Sequence, residues 1–352
     1  MKDIYLPLHH GKAPYWLLNR MKRLAEPIVK LIIVEYGERE FFRRISDPIF
    51  FQSFSNVLGF DWNSSGSTTV LTGVLKSVLN KEEFEVRVAG GKGSSALRAP
   101  EEIQKYSEEI GADPEKLIKF SRIAAKTDGA ALIDGYSIYH HAVFFSPRYF
   151  TVVQQGMNEK EKLARRYHWE VYRSIPKIEE VHSGIVAERQ EKEVVNMVSR
   201  LSRNARDVCV DLVRDGSFKR DYRKLLSISK FRGGLYIPRR IDWKAVEKAY
   251  NLQPKNFEEL ILVKGIGRET VRALALISDL IYNVNYDRED PAKYCFAVGG
   301  KDGVPFPVRK QTYDEVIEFM REVVKQTELG NVEKRNLMRN LQKMVSRHGG
   351  SD

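Results

Sequence analysis

Apolar positions recur at helical spacing along much of the chain. Leu17, Leu18, Met21 and Leu24 follow Pro14, a residue that suits the first turn of a helix. Ile28, Leu31, Ile32 and Tyr36 share one face of a second helix expected over 27–44. VLTGVLKSVL predicts a further helix after a Ser/Thr/Gly loop, FEVRVAGGKGSS (84–95) a short strand, and 100–125 another helical stretch. In YHHAVFFSPRYFTVVQQGMN, two apolar runs flank a Pro-containing turn, which predicts a hairpin at 141–155.

After Ile185 the character changes. VAERQEKEVVNMVSRLSRNARDVCVDLVRD (186–215) reads as one long amphipathic helix, with more helices around 242–284 and at 312–326. The expectation is an α+β protein. A mixed α/β domain over 1–185 carries chemistry, and an all-helical domain over 186–352 carries binding. A chain of 352 residues is long enough for two domains, and 42% hydrophobic with 30% charged residues describes a folded one.

Charge sharpens this picture. The net charge of +11 favours polyanionic partners, nucleic acid first. Residues 200–240 hold twelve Lys/Arg against four Asp, so most of the excess sits in one stretch. No apolar run approaches the roughly 20 residues needed to span a bilayer, and no signal-peptide core stands at the N-terminus. Cys209 and Cys295 cannot build a disulfide framework or a zinc knuckle, so a reducing cytoplasm is expected.

The most specific stretch is FEELILVKGIGRETVRALALISDLIYN, within 257–284. A helix meets Lys264-Gly265-Ile266-Gly267, and a second helix starts near Glu269. Two glycines allow a tight turn and leave amides bare at a helix N-terminus, where the dipole favours a phosphate oxygen. Lys264 and Arg268 flank them. The stretch resembles the helix-hairpin-helix motif of DNA repair and recombination proteins, which implies backbone binding without base reading. With Arg214, Lys219, Arg220, Arg223 and Lys224 it forms the expected DNA-binding surface.

LPLHHGKAPYW, GFDWNSSGSTT, DGYSIYHH, VVQQGMN, ARRYHW and AVGGKDGVPFPV together resemble an archaeal and bacterial family known as a domain of unknown function. The resemblance implies an N-terminal domain fused to the helix-hairpin-helix, and it carries over no particular activity.

Six of the seven histidines fall within residues 1–185, so the chemistry is sought there. The hairpin at 141–155 is similar in layout to phospholipase D-like phosphodiesterases, with a histidine at one strand's start and a small residue and Asn at its partner's end. The resemblance implies a nucleophilic histidine. However, position 142, where that family has lysine, is Ala142. The expected catalytic group is His140, His141, Asp61, Lys92 and Asn158, with Gln154 nearby. Ser64, Ser65, Gly66 and Thr68 open a helix and serve either as an anion cradle or as its N-cap. Lys12, Arg165, Arg166 and His168 complete a basic pocket for a phosphate. Asp61, Asp134 and His140 offer themselves to a divalent metal, magnesium or manganese. The function expected is a nuclease whose histidines face both loops, at 61–69 and 90–95, in one pocket. A non-catalytic DNA-binding accessory protein is the alternative, and a base-excision glycosylase using Asp279, Asp287 or Asp290 a third. A homo-oligomer is compatible with all three.

Overall fold

The computed structural model describes residues 13–60, 65–229, 236–293, 310–327 and 329–348. Lys12, Asp61 and Ser64 lie outside them, as does AVGGKDGVPFPV at 297–308. The chain is mixed α/β, built on a central antiparallel sheet.

Helix α1 (Tyr15–Leu31) passes through Pro27 and continues as a π turn to Tyr36; α2 (Glu38–Ser46) follows. The single helix expected over 27–44 is thus two, because Gly37 takes a positive φ of 87° between them. Helix α3 (Pro48–Val57) starts at an Asp47 cap that accepts from the Ile49 and Phe50 amides at 2.7 and 3.2 Å. Then come α4 (Ser65–Leu79), β1 (Arg87–Lys92), the short α5 (Ser94–Leu97), α6 (Ala99–Ile110) and α7 (Pro114–Lys126). The helical stretch 100–125 divides where Gly111 ends α6 in the left-handed region and Asp113 caps α7. A π turn, Thr127–Ala131, leads into β2 (Leu132–Ile133).

The expected hairpin is β3 (Ser137–Phe145) and β4 (Phe150–Asn158), closed by the Ser146 hydroxyl accepting from the Arg148 and Tyr149 amides. Strands β5 (Leu163–Trp169) and β6 (His182–Val186) extend it, in the order β1-β3-β4-β5-β6. Gly90 has φ +90°, and a Cβ there would stand 2.1 Å from the His141 carbonyl oxygen. Glycine is therefore what allows β1 to close on β3.

The 186–215 stretch corrects the expectation of one long helix. Val195–Asn196 is a strand, β7, paired with β2, and helix is confined to a 3-10 turn, Arg200–Ser202, and the α-helix Arg203–Arg214 (α8). The charge-rich pattern mimics an amphipathic helix, but Val194, Val195, Met197 and Val198 are all buried. Asn196 pins the turn by accepting from the Val198 and Ser199 amides. The second half is thus not purely helical. It goes on with α9 (Phe218–Ser229), α10 (Trp243–Leu252), α11 (Phe257–Leu262), α12 (Arg268–Leu280), α13 (Lys310–Gln326) and α14 (Asn331–His348).

Packing does not part at residue 185. One apolar cluster joins a face of the sheet to α6 and α7 and to helices α8 through α12. The other face packs on α1–α4 together with α13 and α14. No described helix is long and apolar enough to cross a membrane.

Candidate functional site

Successive strand residues point to opposite faces, and that alternation divides the expected site. Toward α4, Thr72 Oγ1 lies 3.0 Å from His140 Nε2. The Thr72 hydroxyl already donates to the Thr68 carbonyl at 2.8 Å, so His140 Nε2–H is the donor and Nδ1 carries the lone pair. That Nδ1 is buried without a partner among the described residues. Burial, with His141 and Lys92 nearby, pushes the His140 pKa down to about 3, so the ring is neutral near neutral pH.

The same face carries Gln155, Arg166 and His168. Gln155 accepts from Thr68 Oγ1 and donates to the Ser65 carbonyl (2.9 Å) and to Tyr139 Oη. Arg166 reaches Gln52 (3.3 Å) and Thr68 (3.4 Å) over the Phe51 ring. His168 Nδ1–H donates to the Ile45 carbonyl at 3.2 Å, and burial holds its pKa well below the usual value. Ser65, Thr68, His140, Arg166 and His168 are therefore brought onto one face, but as a buried layer between sheet and helices.

The opposite face holds a different arrangement. Ser121, in the middle of α7, places Oγ 2.8 Å from His141 Nε2, and His141 Nδ1 lies 2.7 Å from Gln154 Oε1. Gln154 spends its amide hydrogens on the Ala124 carbonyl (3.1 Å) and Asp128 Oδ2. Asp128 also accepts from Trp169 Nε1 (2.9 Å) and pairs with His182 Nε2 at 2.7 Å. Ser121 and His141 line a pocket of about 580 Å³ together with Gly93, Arg122, Tyr139 and Arg268.

Arg268 is the first residue of α12. Between α11 and α12, Lys264 and Gly265 are exposed, Gly267 and Arg268 half-buried, and Gly267 caps α12 with no side-chain cap. Lys126 donates to the Ile266 carbonyl at 2.6 Å, fastening the turn to α7. Gly265 has φ +97°, and a Cβ would fall 2.5 Å from Ala245 Cβ, whereas nothing lies within 4 Å of one at Gly267. Of the basic residues on α8 and α9, Arg214, Lys219 and Arg223 are exposed without ion pairs among the described residues. Arg220 and Lys224 are engaged by Asp221.

Four expectations need correction. His140 and His141 do not share a pocket, since they alternate across the sheet. Arg165 is no phosphate ligand: it is fully buried between Asp134 (3.0 Å) and Asp290 (2.7 Å), which also commits Asp134. Asn158 turns the β4–β5 connection, its Oδ1 accepting from the Lys160 and Glu161 amides at 3.2 Å. Lys92 is exposed at the end of β1, paired across the sheet with His140 and 5.9 Å from the Tyr139 ring. Among the described residues no three His, Cys, Asp or Glu side chains converge as a metal-binding group.

Ser121, Arg122, Asp128 and His182 escaped the sequence reading as site residues. The available signal was a serine on the apolar stripe Leu117, Phe120, Ile123 and Ala124 of α7.

The chain matches the family described as "Protein of unknown function (DUF763)" over residues 3–308, and it belongs to that family. No curated protein and no solved structure matches it.

Proposed function

We propose that the protein grips the backbone of DNA without reading its sequence and hydrolyses a phosphodiester in the pocket beside the grip. The gripping surface is the turn Lys264–Arg268, a helix-hairpin-helix in this reading, with the exposed Arg214, Lys219 and Arg223. The observation that carries the proposal is the position of Arg268. It belongs to the turn and lines the pocket that also holds Ser121, Arg122 and His141. A phosphate held at the α12 N-terminus therefore has its neighbour along the strand close to two guanidinium groups and a serine–histidine pair. The net charge of +11 supports a polyanionic substrate.

A non-catalytic accessory role draws support from the burial of His140, Arg166 and His168. A base-excision role finds fewer free groups, because Asp290 is committed to Arg165 and Asp279 to Arg288 at 2.6 Å.

The test is a gel assay on labelled single-stranded, duplex and branched DNA, with magnesium, manganese or neither. We expect binding that weakens steeply with salt, and cleavage in at least one condition. Binding without product in every condition leaves the accessory role. Gly267→Val should weaken binding without unfolding the chain, because its Cβ meets open space. Gly265 is unsuited to that test, since any side chain there strikes Ala245 and Asp242.

A further inference from the structure

We infer that Ser121 is a nucleophile activated by His141, and that the pocket opens a phosphodiester through a covalent phosphoserine intermediate. This rests on the phosphodiester reading above and adds to it the attacking atom.

The hydrogen-bond chain fixes who donates to whom. Both amide hydrogens of Gln154 are committed, to Ala124 and Asp128, so its oxygen faces His141. An amide oxygen only accepts, which puts the His141 proton on Nδ1 and leaves the Nε2 lone pair directed at Ser121 Oγ, 2.8 Å away. That is the arrangement a serine nucleophile needs from its general base. Gln154 is a positioning residue, and Asp128 holds it in place while fastened to Trp169 and His182. The imidazole is thereby oriented from β4, β5, β6 and the π turn at once. Burial lowers the His141 pKa, which keeps the ring neutral before attack, while the Gln154 bond opposes that shift.

The pocket wall states the charge of the substrate. Arg122 and Arg268 line it with Ser121 and His141. Two guanidinium groups suit the non-bridging oxygens of a phosphodiester as charge builds on them.

The chemistry balances with water alone. Ser121 Oγ attacks phosphorus as its proton passes to His141 Nε2. The bond from phosphorus to the leaving alkoxide breaks, and that oxygen takes the proton from the imidazolium. Water, giving a proton to His141, then attacks the phosphoserine, and Ser121 Oγ leaves and regains its proton. Diester and water become monoester and alcohol.

The full chain treated with a fluorophosphonate probe tests this, because the probe reacts by the same first step with fluoride leaving. Peptide mass mapping should find the adduct on Ser121 in the wild type and none at that position in Ser121→Ala. In His141→Ala the labelling rate should fall by about 100-fold. An unactivated serine does not react, so the wild type alone decides the point even where His141→Ala fails to fold. No adduct on Ser121 in folded wild type overturns the inference, as does equal labelling in a folded His141→Ala. Labelling without cleavage of any nucleic acid supports the nucleophile and removes the phosphodiester reading. Cleavage that survives in Ser121→Ala removes the nucleophile and keeps that reading.

Discussion

His140 and His141 are neighbours in sequence, and the sheet gives them opposite surroundings. His140 faces α4 in a closed layer, with one nitrogen on Thr72 and the other without a partner among the described residues. His141 faces α7, has both nitrogens engaged, and lines the pocket. The next strands repeat the split. Gln154 joins the His141 chain while Gln155 joins the Thr68 layer, and Arg165 is clamped by two carboxylates while Arg166 lies among Gln52, Thr68 and Phe51. Paired polar residues on a buried strand are therefore two half-sites rather than one. What each half does is decided by the helix that covers it.

The clamp on Arg165 gives the largest expected effect. Arg165→Met leaves Asp134 and Asp290 buried without their cation, a loss of about 3–5 kcal/mol by comparison with other broken buried pairs. Urea unfolding measures it. A cost below about 1 kcal/mol would mean that the two carboxylates find other partners, and that Arg165 is no more fixed than a surface arginine.

Next comes the contrast between the histidines themselves. His141→Leu leaves Gln154 Oε1 and Ser121 Oγ without their partner, a cost of about 2–4 kcal/mol for two stranded polar groups. His140→Leu strands little, because the Thr72 hydroxyl keeps its bond to the Thr68 carbonyl, and the cost should stay below about 1.5 kcal/mol. Parallel urea curves at pH 7.5 compare them. Equal costs would erase the distinction between the two faces.

Much of the local structure was readable from the chain. The glycine turn at 264–267 between two helices and the hairpin follow from breaker residues and apolar runs. What periodicity missed is informative. β5 contains Arg165, Arg166 and His168, polar residues that ordinarily mark a surface, and only the sheet's burial on both faces makes ARRYHW a central strand. The segment 186–202 mimicked a helix because its short buried run, Val194 to Val198, is flanked by charge. Ser121 was invisible because one serine on an apolar helix face reads as a tolerated exception until the histidine across from it is known. Proximity across a sheet has no signature in a single sequence.

The pH dependence of stability is the finest test of the comparison. His140 has its pKa lowered to about 3 in the folded protein, against an ordinary value of 6.5. Between those values the unfolded chain binds a proton that the folded one does not, so the stability from keeping this ring neutral is complete above pH 6.5. It is lost as pH falls toward 3. Each pH unit inside that window costs about 1.4 kcal/mol for this one group, or roughly 2 kcal/mol between pH 6.5 and 4.5. His140→Leu cannot take up the proton, so its unfolding free energy should fall less than the wild type's by that amount, the two curves converging or crossing as the medium is acidified. Groups that do not couple to His140 contribute to both proteins alike and drop out of the difference. Curves that stay parallel from pH 7.5 to 4.5 would mean that His140 takes its proton while folded. The face toward α4 would then admit water, and the contrast between a histidine sealed in a layer and one that lines a pocket would not hold.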